Sequence, residues 1–133
     1  MTSRAHALGH VAGALAFGAF ASATLAQSPP PVNTLNDLWA ALQRCWVPPP
    51  IDQSRPGMQI TVLMSFKRSG EIIATPRVTY ATPGIPPETR ETYLHAIMAA
   101  LERCTPLHFS AGLGGAVAGR PIAIRFVDNR DLP

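Results

Sequence analysis

Two cysteines, Cys45 and Cys104, hold the only thiol groups of this 133-residue chain. Each one ends the apolar stripe of a segment with helical periodicity. In an oxidising compartment, an even number of cysteines favours a disulfide, which here would join the ends of two helices. The alternative is two separate buried thiols. A redox-active pair is less favoured, because the chain has no Cys-x-x-Cys arrangement.

The other candidate reactive groups lack the spacing that metal binding or catalysis requires. His95, Cys104 and His108 are zinc-ligand types, but no Cys-x2-Cys or His-Glu-x-x-His motif accompanies them, so solvated or packed histidines are the better interpretation. The glycines of segment 112–115 follow a helix and precede a strand, whereas phosphate-binding loops follow a strand and open a helix. No serine stands in a Gly-x-Ser-x-Gly elbow. The sequence therefore predicts no metal, no cofactor and no enzymatic activity.

The helix that ends near Cys45 has a clear beginning and a clear end. Thr34 is a helix cap, and Asp37 lies three positions later, where it can accept from the free amides of the first turn. Apolar side chains follow at three- and four-residue spacing, which predicts an amphipathic helix: Leu35, Leu38, Trp39, Leu42, Cys45 and Trp46. The proline run 48–50 ends it.

A β-hairpin is predicted next. Apolar and polar residues alternate over 58–67, which is typical of a half-buried strand. The turn at 68–71 contains Gly70, which is free to take a positive φ. Alternation resumes over 72–80, with Ile72, Ala74, Pro76, Val78 and Tyr80 on one face.

The remaining segments predict a helix, a loop and a third strand. Residues 88–104 have an apolar stripe that ends at Cys104, and Pro106 stops the helix. Residues 111–119 are rich in alanine and glycine, which predicts a loop. Residues 122–126 alternate again and predict the last strand.

Prolines indicate the order of the strands, because a proline cannot donate to a ladder and belongs on an edge. Pro76 lies in the second strand and Pro121 begins the third, so the first strand is expected in the centre. The predicted fold class is α+β: a two-layer α-β-β-α-β sandwich with a three-stranded antiparallel sheet, order 2-1-3, and the helices on one face.

Length and charge exclude several functional classes. A chain of 133 residues fits one domain, and its formal net charge is only +3. No basic cluster is longer than Lys67-Arg68, so a nucleic-acid partner is not expected. A multi-domain enzyme does not fit this length.

Residues 1–26 have the order of a secretory signal peptide. A weakly positive start with Arg4 precedes an uncharged apolar run and small residues that fit a cleavage site before Thr24 or Gln27. Residues 27–33 form a short proline-rich lead-in. The predicted location is therefore the periplasm. The alternative is an uncleaved segment that anchors the chain in the inner membrane, facing the periplasm.

Together, these segments resemble the C-terminal domain of TolA and TonB, and the TolA-like form more closely. The resemblance covers about residues 34–128 and leaves 129–133 as a tail. It is carried by six segments in this order: Cys45-Trp46-Val47-Pro48-Pro49, Gln59-Ile60-Thr61-Val62, Arg68-Ser69-Gly70-Glu71, Thr75-Pro76-Arg77-Val78, the helix end Leu101-Glu102-Arg103-Cys104-Thr105-Pro106-Leu107, and the strand 122–126.

The resemblance implies a non-enzymatic domain that binds an envelope protein or peptide by adding a strand at a sheet edge. Carried over by position, the binding edge is the last strand: Ile122, Ala123, Ile124 and Arg125. The chain lacks the long spacer of TolA and TonB, because about seven residues separate the targeting segment from the first helix. A force-transmitting role is therefore not expected. The alternative is a structural envelope protein that retains no partner.

Overall fold

The computed structural model describes residues 9, 11–22 and 30–131. Residues 9 and 11–22 are exposed and have no regular secondary structure, while the rest of the predicted targeting segment and residues 27–29 of the lead-in lie outside the described residues. Among the residues that are described, no helix is both long enough and apolar enough to cross a membrane.

Three helices and three strands make up the fold over the residues that the structure describes. The helices are α1 (Leu35–Cys45), α2 (Pro87–Cys104) and α3 (Ala111–Val117), and the strands are β1 (Gln59–Phe66), β2 (Ile72–Ala81) and β3 (Ile122–Val127). A short 3-10 turn at Ile51–Gln53 follows α1. The strands form one antiparallel sheet in the order β2-β1-β3. This confirms the predicted α+β fold and its central first strand.

The start of α1 is fixed by the predicted capping residues. The Asp37 N–H donates to Thr34 Oγ1 at 3.1 Å, and the Asp37 carboxylate accepts from the backbone N–H groups of Thr34 and Asn33 at 3.0 and 3.1 Å. These hydrogen bonds, those with Thr34 first, lower the pKa of Asp37. The capping box satisfies donors that would otherwise have no partner at the start of the helix.

The core lies between the helices and one face of the sheet. Alternate residues of β1 are buried and pack with side chains of α1 and α2, as the period-two pattern predicted. Tyr93 of α2 is also buried, although it was not predicted as a core residue. Leu35 and Trp39, which the apolar stripe of α1 included, are instead more than two-fifths exposed.

The predicted alternation of β2 is wrong in detail. Two register shifts against β1 interrupt the strand, between Thr61 and Val62 and between Leu63 and Ser65. As a result Val78 lies opposite buried Val62, whereas Tyr80 lies opposite Thr61 on the face away from the helices. An extra residue on one strand moves every following side chain to the other face, so a period-two pattern cannot continue through it.

The predicted loop over 111–119 is also wrong, because α3 forms there. Ser110 caps the helix by accepting from the Leu113 N–H at 3.2 Å, and Leu113 and Val117 are buried. A Cβ at Gly114 would lie 3.0 Å from the Arg68 carbonyl oxygen, so glycine permits close packing here. Burial against the rest of the fold therefore overcomes the poor helix propensity of glycine.

The predicted hairpin turn is confirmed at Gly70, which has a φ of 86°. A Cβ at this position would overlap the backbone of Leu107, whose N–H donates to the Gly70 carbonyl at 3.0 Å. The hairpin turn is thereby attached to the segment that follows α2.

Candidate functional site

The outer edge of β3 is defined by a regular register with β1. Six consecutive residue pairs, from Gln59 with Val127 to Met64 with Ile122, lie opposite one another without a shift. The Asp128 N–H donates to the Met58 carbonyl at 2.9 Å, which fixes the phase of the ladder. Since backbone groups alternate in direction along a strand, Ile124 and Phe126 pair with β1, while Ala123, Arg125 and Val127 direct theirs outward.

Side chains at the end of α1 cover the C-terminal half of this edge. Gln43 Nε2 donates to the Arg125 carbonyl at 3.0 Å, and Trp46 Nε1 donates to the Val127 carbonyl at 2.9 Å. The Trp46 ring also packs on Phe126 with 5.2 Å between ring centroids. Two of the outward carbonyls of β3 are thus satisfied by side chains instead of by another strand.

The N-terminal half of the edge faces a groove. The groove has a volume of about 340 Å³ and is lined by Trp39, Gln43, Ala123, Ile124 and Arg125. In the part of the chain that the structure describes, no side chain or loop backbone hydrogen-bonds to the outward N–H or carbonyl of Ala123. A polar backbone pair beside an exposed indole is an arrangement that an extended peptide can use.

The four residues predicted to bind a partner therefore divide into two pairs. Ala123 and Arg125 direct backbone groups to the outside, whereas Ile122 and Ile124 pair with β1. The Ile124 side chain is in the core, with 1% of its surface exposed. Trp39, Gln43 and Trp46 were not predicted to take part. Two of them stood in the apolar stripe, and their position at the β3 edge follows only from the contact of α1 with that edge.

The sheet face away from the helices carries positive charge. Register places Arg125 beside Thr61, and Arg77 and Ala123 on opposite sides of Leu63. The three strands contain these two arginines and no Asp or Glu. A strand added beside β3 would therefore meet a cation on this face.

The two cysteines form the predicted disulfide, Cys45–Cys104, with 5.9 Å between their Cα atoms. It joins the C-terminal ends of α1 and α2. Arg103 Nη2 adds a second link by donating to the Cys45 carbonyl at 2.8 Å. Because Gln43 and Trp46 flank Cys45, the disulfide helps to hold the cover of the β3 edge in place.

A buried carboxylate fixes the end of β3. Asp128 is fully buried and accepts from Tyr93 Oη at 2.5 Å and from Arg130 Nε and Nη2 at 2.8 and 2.7 Å. The Arg130 bonds chiefly lower the pKa of Asp128, while burial chiefly raises the pKa of Tyr93. Tyr93 Oη also accepts from the Arg55 N–H at 2.8 Å. Arg130 therefore belongs to the folded domain, although the sequence had placed it in the tail.

The residues of zinc-ligand type, His95, Cys104 and His108, do not form a cluster. His95 and His108 are exposed, and Cys104 is in the disulfide. The described ranges contain no group of three or more potential metal ligands.

Comparison with known proteins identifies a family. A family model described as "Uncharacterised conserved protein UCP034077" matches residues 28–130. The chain belongs to this family. The region matched to UCP034077 includes every helix and strand that the structure describes, the disulfide and the Asp128–Arg130 pair. No curated protein and no solved structure matches the chain.

Proposed function

We propose that this UCP034077 member is an exported, non-enzymatic binding domain that takes a short extended peptide along the outer edge of β3. The observation that carries the proposal is the outward backbone of Ala123, which lies beside the groove formed with Trp39 and Gln43. A peptide residue that pairs with Ala123 would form two backbone hydrogen bonds and extend the sheet by one strand.

The two faces of such a strand would contact side chains of different types, one apolar and one positively charged. Peptide side chains on the helix side would contact Trp39, which is 43% exposed. Side chains on the other side would lie near Arg125, where an acidic residue is favoured. The expected ligand therefore alternates apolar and acidic residues over a few positions.

Gln43 sets the length of the segment that can bind without rearrangement. Its amide occupies the Arg125 carbonyl, so a peptide that pairs beyond Ala123 must displace it. Gln43 is exposed, so rotation of its side chain costs little beyond one hydrogen bond, about 1 kcal/mol.

The targeting segment and the disulfide support a periplasmic location for this activity. The first 26 residues have the order of a signal peptide, and disulfides persist in oxidising compartments. The resemblance of residues 34–128 to TolA and TonB C-terminal domains supports a cell-envelope partner. Retention of the targeting segment would give the same domain anchored in the inner membrane.

A second candidate function is a structural envelope protein with no peptide partner. The side-chain cover that Gln43 and Trp46 place over β3 favours it, because a covered edge cannot pair. The two functions differ in whether the Ala123 half of the edge is used.

The test is selection of extended peptides from a displayed random library, followed by binding to matched variants. Ala123→Pro removes the outward N–H, and Ala123→Gly keeps it. Selected peptides should bind the glycine variant and lose at least about tenfold in affinity for the proline variant. Ile124→Pro is unsuitable because that residue is buried and pairs with Val62, so the substitution would unfold the domain. Peptides that bind both Ala123 variants equally, or an empty selection, would refute the edge proposal.

A further inference from the structure

A second cavity lies at the disulfide end of the two long helices. Its volume is about 290 Å³, and it shares no lining residue with the groove at β3. Val32, Ala41 and Leu107 contribute buried apolar surface, while Arg44, Arg103 and His108 are exposed at its margin. This volume lies just below the range for small-molecule sites, about 300–1,000 Å³. We call it the disulfide-end pocket.

The two arginines occupy equivalent positions on the two helices. Arg44 directly precedes Cys45 in α1, and Arg103 directly precedes Cys104 in α2. The disulfide therefore brings both arginines to the lining of one cavity. The hydrogen bond from Arg103 Nη2 to the Cys45 carbonyl uses one of the five donors of that group and holds its position.

No carboxylate lines the disulfide-end pocket. Over residues 9, 11–22 and 30–131, the ion pairs are Lys67 with Glu71 and Arg130 with Asp128, and neither includes Arg44 or Arg103. Asp37 lies two turns before Arg44, and the Arg44 charge is the smallest of the causes that lower the pKa of Asp37. The two form no ion pair, and the Asp37 carboxylate accepts the capping hydrogen bonds at the start of α1.

Both arginines also lie where helix dipoles favour cations, which is the simplest structural reason for them. The C-terminal ends of α1 and α2 meet here, and each contributes roughly half a negative charge. Arg44 and Arg103 carry two positive charges, which exceed the summed negative charge of the two helix ends by about one unit. His108 adds a further hydrogen-bond donor. The pocket therefore keeps a positive surplus after the dipoles are counted.

We propose that the disulfide-end pocket binds a small organic carboxylate with an apolar body. The carboxylate would lie between Arg44 and Arg103, where guanidinium groups can donate paired hydrogen bonds. The apolar body would pack on Val32, Ala41 and Leu107, which are already buried and so form a preformed wall. This site is independent of the proposed peptide edge.

The test is a titration of the full, oxidised chain with hexanoate, followed by the methyl resonances of Val32, Ala41 and Leu107. Hexanoate should shift these resonances saturably. Hexanamide lacks the charge, and acetate and inorganic phosphate lack the apolar body, so each should bind at least about tenfold more weakly. Equal effects of hexanoate and hexanamide, or of hexanoate and phosphate, would overturn the proposal.

Variants separate charge from general effects on the fold. Arg44→Gln should weaken hexanoate binding about tenfold, and Arg44→Lys should retain most of it. Arg90→Gln, an exposed position near the start of α2, serves as the control and should leave binding unchanged. Arg44 makes no hydrogen bond that holds the helix ends together, unlike Arg103, so its variants are expected to fold. Unchanged affinity in Arg44→Gln, or no saturable shift in the wild-type chain, would refute the site.

Discussion

The two edges of the sheet avoid unwanted pairing by different means. On β2 the backbone itself is irregular: two register shifts interrupt the ladder, Ala74 has a φ of 59°, and Pro76 lacks an N–H. On β3 the backbone is regular, and the side chains of Gln43 and Trp46 cover part of it. Irregular backbone and covering groups are both known protections of edge strands.

The difference matters because only one of these protections can be removed without refolding a strand. A covering side chain can rotate away at the expense of about one hydrogen bond. Restoring a regular edge on β2 would require repairing the bulges and replacing Pro76. For this reason β3 is the edge at which we place the peptide, and the following predictions test how strongly each edge depends on its own protection.

The largest effect is expected from loss of the disulfide, which joins α2 to the end of α1 that covers β3. Replacing Cys45 and Cys104 by alanine should lower the free energy of unfolding by about 4 kcal/mol, because the bond closes a separation of 59 residues. Urea unfolding measures this loss. In the variant without the disulfide, hydrogen exchange should show less protection at the Trp46 indole N–H than at the backbone amides of β2. A stability change below about 1 kcal/mol would contradict the role assigned to this bond.

The next effect concerns Asp128 at the end of β3. Its pKa is lowered in the folded protein, chiefly by hydrogen bonds from Arg130. The carboxylate therefore contributes stability fully above its unfolded pKa, about 3.9, and loses that contribution as the pH falls through the folded value. Asp128→Asn should cost about 2 kcal/mol at neutral pH, since it weakens charge-assisted bonds at a buried site.

Urea midpoints measured from pH 6 to pH 3 check this prediction. The wild-type midpoint should fall more steeply below pH 4 than that of Asp128→Asn. Parallel curves for the two proteins would show that Asp128 does not hold the end of β3 through its charge.

A smaller effect is expected when one hydrogen bond of the side chains that cover β3 is removed. Trp46→Phe removes the indole donor to the Val127 carbonyl and keeps an aromatic ring against Phe126. The loss of one hydrogen bond predicts destabilisation by about 1 kcal/mol, measured by urea unfolding followed by circular dichroism. If stability is unchanged, the indole does not protect this edge.

The smallest effects are expected from glycine substitutions on the two edges. Ala74→Gly should stabilise the protein by about 0.5 kcal/mol, because alanine is strained at a φ of 59° and glycine is not. Ala123→Gly, on the regular strand, should destabilise by about 0.5–1 kcal/mol through added flexibility of the unfolded chain. Thermal unfolding of both variants provides the comparison, and equal signs would contradict it.

Most of the fold was predictable because local patterns and global packing agree. The β1 alternation, the prolines on β2 and before β3, and the Thr34–Asp37 cap each match the structure. The helix α3 was not predictable, since burial of Leu113 and Val117 outweighs an Ala/Gly-rich sequence.

The candidate site was predictable only in part. Resemblance pointed to four residues of β3, but the sequence could not show which of them direct backbone groups outward, because that depends on the phase of pairing with β1. Nor could it show that Gln43 reaches the Arg125 carbonyl, 82 positions further along the chain. Contacts between distant segments leave no periodic signal in either one.

The most direct measurement is amide hydrogen exchange at Ala123 in the presence of a peptide selected on the wild-type chain. Strand addition at β3 predicts that the Ala123 amide becomes protected when the peptide binds, while the amides of β2 keep their free-state exchange rates. Protection that develops along β2, with Ala123 unchanged, would place the binding edge on the opposite side of the sheet and contradict the proposed function.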